Sequence, residues 1–169
     1  MNARDIQKKL EERFGAVVGP VEEGRTESWI EVDPDHIHDV AAFLKAEPDL
    51  FFDCLSNQTG VDYPEKGYIT VVYNLVSYQH GHELTVKVNT DRGAPIVNTV
   101  EKTWKAANWL EREVYDLFGV HFEGHSDLRR ILLPEDWVGF PLRKDYVEAP
   151  EYHGISTVRE SMLDIPGRS

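Results

Sequence analysis

Two neighbouring runs alternate apolar and polar residues, and they restrict the fold more than any other feature of the chain. Ile69, Val71, Tyr73 and Leu75 take every second position of residues 68–78, and Leu84, Val86 and Val88 do so in residues 83–89. Side chains of an extended strand point to opposite faces in turn, so each run offers one apolar face to a core. His80-Gly81 separates the runs, and glycine supplies the positive φ of a tight connection. The pair reads as an antiparallel hairpin that other elements must cover. His80 and His82 read as turn residues rather than metal ligands.

The cover is helical. Ile6, Leu10 and Phe14 recur every four residues, which predicts a helix over residues 4–14 that Gly15 stops. Residues 28–32 read as a strand. Asp33-Pro34 reads as the N-cap and first-turn proline of a second helix, whose stripe is Ile37, Val40, Ala41 and Leu44 and which ends before Pro48. His36 and His38 diverge around that helix and are poorly placed to share a metal. Residues 50–55 read as a buried strand and 56–63 as a polar loop. After a loop over residues 90–98, a principal helix carries Val100, Trp104, Ala107, Val114, Leu117 and Phe118 on one face. Glu101 with Lys105, and Arg112 with Asp116, fall one turn apart on it, and Gly119 is its natural stop. This order predicts an α+β fold, with helices packed on one face of a small, largely antiparallel sheet.

Beyond residue 126, Pro134, Pro141, Pro150 and Pro166 leave no room for a long helix. Apolar anchors nevertheless recur there, among them Ile131, Leu132, Leu133, Trp137, Val138, Phe140, Leu142, Tyr146, Tyr152, Ile155, Met162, Leu163 and Ile165. Residues 1–125 therefore read as the α+β domain. Residues 126–169 read as an extended, proline-containing arm that packs on its own domain and on partners.

Composition removes several functions. A net charge of −12 argues against nucleic acid, whose phosphates need clustered Lys and Arg, and favours a positively charged partner surface. No apolar run approaches the about 18 to 20 residues of a membrane span, and residues 1–10 lack the apolar core of a signal peptide. The expectation is a cytosolic chain linked to a membrane only through partners. Cys54, the single cysteine, reads as a small buried hydrophobe. One thiol cannot supply the four thiolates that usually hold an iron–sulfur cluster.

Charge is densest from Glu111 to Asp145. His121-Phe122-Glu123-Gly124-His125 looks superficially like a zinc site, but the metalloprotease arrangement needs two His on one helical face, which Gly119 and Gly124 argue against. Glu111, Glu113 and Asp116 have the chemistry for acid–base work with His121 or His125. Yet Glu111 and Glu113 diverge around a helix and Arg112 is at hand to neutralise them, so an ion-pair network is the better reading. The glycines form no phosphate loop, and no serine sits in a nucleophile elbow.

The run Glu111-Arg112-Glu113, Asp116-Leu117-Phe118, His125, Arg129 and Ile131-Leu132 resembles the signature of the C subunit of NADH-quinone oxidoreductase, the respiratory complex I family. The likeness extends through Pro141-Leu142-Arg143-Lys144-Asp145-Tyr146, and more weakly to residues 59–63 and 152–157. Phe140 stands where the family pattern often has His, and Ser126 where it often has Pro. The resemblance implies an α+β, non-catalytic subunit of the peripheral arm that binds no cofactor itself. FMN and iron–sulfur clusters would lie in partner subunits, with the quinone-site subunit adjacent, on the cytoplasmic side of the cell membrane. Glu111, Arg112, Glu113, Asp116, His125, Arg129, Arg130, Arg143, Lys144 and Asp145 are the expected subunit-interface set. Two alternatives stand beside it: the homologous subunit of a membrane-bound hydrogenase or ferredoxin-dependent relative, and a free-standing enzyme using Glu113 and His125.

Overall fold

The expected hairpin forms the centre of the sheet. Strand β4 (Tyr68–Ser77) pairs antiparallel with β5 (His82–Asp91) from Tyr68 opposite Asp91 to Ser77 opposite His82. Gly81 takes φ +64° in the connecting turn. The computed structural model describes residues 1–25 and 27–158. Met162, Leu163, Ile165 and Pro166 of the expected arm lie outside the described residues.

Helix α1 (Ala3–Phe14) starts at Asn2, whose side chain accepts from Asp5 N, and stops at Gly15. Strand β1 (Val18–Glu23) follows and has no period-two signature. It pairs with β2 (Ser28–Val32), which runs parallel to β5. Helix α2 begins one turn later than Asp33-Pro34 suggests, at Ile37, and runs to Ala46. Asp33 instead accepts from Asp35 N (2.9 Å), capping the turn that precedes the helix.

Residues 50–53 are not a strand, so only Cys54 and Leu55 of the expected 50–55 strand are extended in the sheet, and residues 56–63 are not a loop. Leu50 and Phe52 are buried, but their carbonyls accept from His82 Nε2 (2.6 Å) and Trp104 Nε1 (2.9 Å) instead of from a neighbouring strand. Phe51 between them sits at φ +36°. Strand β3 occupies Cys54–Tyr63 and lies antiparallel to β4 at the sheet edge, giving the order β1-β2-β5-β4-β3. Cys54 is half-buried and unpaired. His82 opens β5 as a buried strand residue and not as a turn residue.

Part of the expected 90–98 loop forms β6 (Ile96–Asn98), parallel to β7 (His121–Glu123). Between those strands, helix α3 covers only Ala107–Phe118. Residues 99–106 are turns and irregular backbone in which Val100 N is held by the Glu111 carboxylate, and Glu101 accepts from Asn108 and Ser126 instead of pairing with Lys105. Helix α1 lies on β1 and β2, and α3 lies on β3. The core joins the helices to one sheet face through Ile6, Leu10, Val40, Leu44, Ile69, Val71, Tyr73, Val86 and Val88.

Candidate functional site

Beyond the irregularity after Leu55, the inward positions of β3 are Gln58, Gly60 and Asp62. A Cβ on Gly60 would lie 2.6 Å from the Phe118 ring, so glycine is what lets the helix approach the strand. Two carboxylates of α3, Glu111 and Asp116, are thereby buried completely.

Glu111 meets neutral donors. Its Oε1 accepts from Val100 N (2.8 Å) and its Oε2 from the Thr99 hydroxyl. Burial pushes its pKa up to about 7 despite those two hydrogen bonds. The Tyr73 hydroxyl and both polar atoms of Gln58 are buried in the same part of the core without partners among the described residues. His125 Nε2 lies 4.0 Å from Glu111, donates to the Asn108 carbonyl (3.0 Å), and leaves Nδ1 to accept from Asp127 N (3.0 Å). Ser126, where the family pattern often has Pro, donates from its backbone N (2.9 Å) and its hydroxyl (3.0 Å) to Glu101. Proline would lack the first of these donors.

Asp116 meets a denser and partly charged set. Oδ2 accepts from the backbone N of Ile131 (3.0 Å), Leu132 (2.7 Å) and Leu133 (3.0 Å), and Oδ1 from Arg130 Nη1 (2.7 Å). Burial alone would raise its pKa. The amides of Leu133 and Leu132, the Arg130 guanidinium and the amide of Ile131 outweigh it and hold the carboxyl below the usual range.

The end of α3 is closed by the arm. Helices leave their last carbonyls without intrahelical partners. Here Tyr115 O accepts from Gly119 N (2.8 Å), Asp116 O from Arg130 Nη1 (3.0 Å), Leu117 O from Leu142 N (3.1 Å) and Phe118 O from Arg143 Nε (2.7 Å). Two guanidiniums thus sit at the negative end of the helix dipole, with the Phe140 ring 5.5 Å from Arg130 and 4.9 Å from Arg143. Gly119 is at φ +75°, and a Cβ there would lie 2.5 Å from Phe140.

A second clasp holds the arm to the sheet. Arg92 binds Asp62 through Nε (2.7 Å) and Nη2 (3.0 Å) and reaches Asp145 (2.5 Å), while Lys144 N donates to Asp62 (2.8 Å). Arg92 is the main reason that the Asp62 pKa falls, with burial opposing it. Asp62, Arg92 and Thr99 carry this architecture and are absent from the expected set. The first two are thirty positions apart, and no local spacing marks them.

Of the expected set, Glu111, Arg112, Asp116, His125, Arg130, Arg143 and Asp145 are engaged inside the chain. Arg112 does not pair with Asp116: its Nε donates to the Arg129 carbonyl (3.2 Å) and its guanidinium lies 4.9 Å from the Trp109 ring centre. Glu113, Arg129 and Lys144 face solvent, Arg129 beside Asp127 (3.0 Å). Glu113 and His125 make no hydrogen bond or ion pair with each other among the described residues, so the acid–base pair is not assembled. A carboxylate that already accepts four hydrogen bonds, as Asp116 does, is an anchor and not a free base.

A family model described as "Respiratory-chain NADH dehydrogenase, 30 Kd subunit" matches residues 30–152, which hold all of these contacts. The chain belongs to that family. It is 45% identical over 148 residues to the NADH-quinone oxidoreductase C subunit of Chlorobium phaeobacteroides, covering 86% of this chain and 89% of that one. To the corresponding C subunit of Geobacter metallireducens it is 46% identical over 140 residues, covering 82% and 85%. Among solved structures it resembles a trypsin-resistant fragment (1-134) of Nqo5 at 34% identity and a TM-score of 0.60, covering 73% of this chain and 98% of that one. It also resembles a chain of the membrane-bound sulfane sulfur reductase, an archaeal respiratory membrane complex, at 29% identity and a TM-score of 0.69, covering 85% and 84%.

Proposed function

We propose that this subunit is a structural, non-catalytic part of the peripheral arm of a proton-pumping NADH-quinone oxidoreductase. In this reading electrons pass from NADH through FMN and iron–sulfur centres of other subunits to quinone, and this chain binds no cofactor. The observation that carries it is the closure of α3 by the arm. The charged signature braces one segment against another and leaves a fixed surface to present. That surface carries Glu113, Arg129 and Lys144 together with exposed Trp109, Leu132, Val138, Leu142 and Val147. Large apolar side chains left in water favour a partner that covers them.

The partners proposed are the adjacent quinone-site subunit and the cluster-bearing subunits. The location proposed is the cytoplasmic face of the membrane; among the described residues no helix is long and apolar enough to cross a bilayer. The division into a domain of residues 1–125 and an arm of 126–169 is supported by the relative solved as a trypsin-resistant fragment.

A second reading has an observation of its own. The likeness to a chain of the sulfane sulfur reductase complex fits service in a respiratory relative with a different donor or acceptor, such as a ferredoxin-dependent or hydrogenase complex. Affinity purification of the tagged chain from its own membranes separates the two. Recovery of the quinone-site and cluster-bearing subunits with NADH-quinone activity supports the first reading, recovery with another donor module supports the second, and a chain recovered alone contradicts both.

A further inference from the structure

The arm carries a cavity that the closure of α3 does not use. It holds about 100 Å³ and is lined by Trp137, Val138, Tyr146 and Tyr152 along its walls and by Asp136, Glu148 and Glu151. Its walls are built. The Trp137 and Tyr152 rings lie 5.2 Å apart at 47°, and Tyr146 packs on Gly139, where a Cβ would come within 2.9 Å of the ring. Asp136 is already occupied, accepting from the Tyr152 hydroxyl (2.8 Å) and His153 Nε2 (2.6 Å). Glu148 and Glu151 are exposed and form no ion pair among the described residues. Trp137 Nε1 is buried without an acceptor among them.

Aromatic faces attract cations, and free carboxylates at the mouth add to that attraction. A guanidinium suits such a site better than an ammonium, because it is planar, stacks on rings and is less strongly hydrated. We propose that this cavity receives an arginine side chain from a neighbouring subunit. The proposal rests on the reading of the chain as a subunit of a respiratory complex, and it adds the chemistry of one contact.

The test uses the 169-residue chain and the probe N-acetyl-L-arginine amide, with the neutral isostere N-acetyl-L-citrulline amide as control, followed by the indole N–H resonance of Trp137. The arginine probe should shift that resonance saturably, and the citrulline probe should not. The Glu148→Gln/Glu151→Gln double variant should weaken binding by about fivefold, the scale of two part-exposed charge contacts over a ring. Equal shifts with both probes, or no saturable shift, overturn the proposal. In the assembled complex, Glu148→Lys/Glu151→Lys should reduce incorporation of the subunit. Normal incorporation of that variant overturns the arginine contact and leaves the subunit assignment standing, whereas failure of the wild-type chain to join any complex overturns the assignment itself.

Discussion

The two ends of α3 bury a carboxylate each, five residues apart, and treat them in opposite ways. Near the start, Glu111 meets one backbone amide and one hydroxyl, and its pKa rises to about 7. At the other end, Asp116 meets three amides and a guanidinium, and its pKa falls. Burial acts on both in the same direction, so the number and charge of the donors decide the outcome. The donors at the far end all come from the arm, and the ionised Asp116 is therefore the point through which the arm is fixed.

Breaking the Asp116 end should have the largest effect. Asp116→Ala leaves Arg130 half-buried without its charge partner and three amides without an acceptor, and should cost about 3–5 kcal/mol in denaturant unfolding. A loss below about 1 kcal/mol would mean that the arm is not closed on the helix.

Next in size is the pH response of Glu111. Its native pKa of about 7 lies above the ordinary value of 4.5, so the folded state keeps a proton that the unfolded state releases between those limits. The stability from this group is fully present below pH 4.5 and is lost as pH rises through 7. The decline is at most about 1.4 kcal/mol per pH unit and about 3 kcal/mol in total. Glu111→Gln should flatten that slope and be the more stable protein at pH 8, measured by urea unfolding across pH. Asp116 has the reverse sign: its contribution is present above pH 3.8 and disappears as pH falls through its lowered native value. Acid unfolding of the Asp116→Asn variant should lack that phase.

Removing one cation from the helix end is milder. Arg143→Ala should cost about 1–2 kcal/mol, as Phe118 O loses a charged donor at the negative end of the dipole. Arg143→Lys should recover only part of that, because an ammonium cannot reproduce the planar contact with Phe140.

The smallest expected change in stability is at Arg129, which is exposed beside Asp127. Arg129→Ala should stay within about 0.5 kcal/mol in the isolated chain. It should still lower recovery of the subunit in the purified complex, and unchanged recovery would remove Arg129 from the proposed interface.

The hairpin and α1 are legible in the sequence because their inward positions are apolar at a regular period. Strand β3 is not, since beyond Leu55 its inward face is Gln58, Gly60 and Asp62, which serve contact with α3 and the arm rather than burial in oil. Apolar spacing makes α3 seven residues too long: Val100 and Trp104 keep the helical period but lie in the irregular segment before Ala107, where Glu111 reaches Val100 N from eleven residues away. The signature marks Glu111 and Asp116, and the expected interface set adds Arg130 and Arg143, as a place of dense charge. That most of this charge turns inward cannot be read from spacing, because the pairs Asp116–Arg130 and Phe118–Arg143 are set by where the arm returns, and Asp62–Arg92 by how the sheet brings the ends of β3 and β5 together.

Amide hydrogen exchange of Ile131, Leu132 and Leu133 in the isolated chain tests the closure of α3 most directly. Protection comparable to the interior amides of α3, lost in Asp116→Ala, is the expected result. Exchange at the rate of an open loop in the wild-type chain would show that the arm is not fixed to the helix before assembly, and would contradict the account.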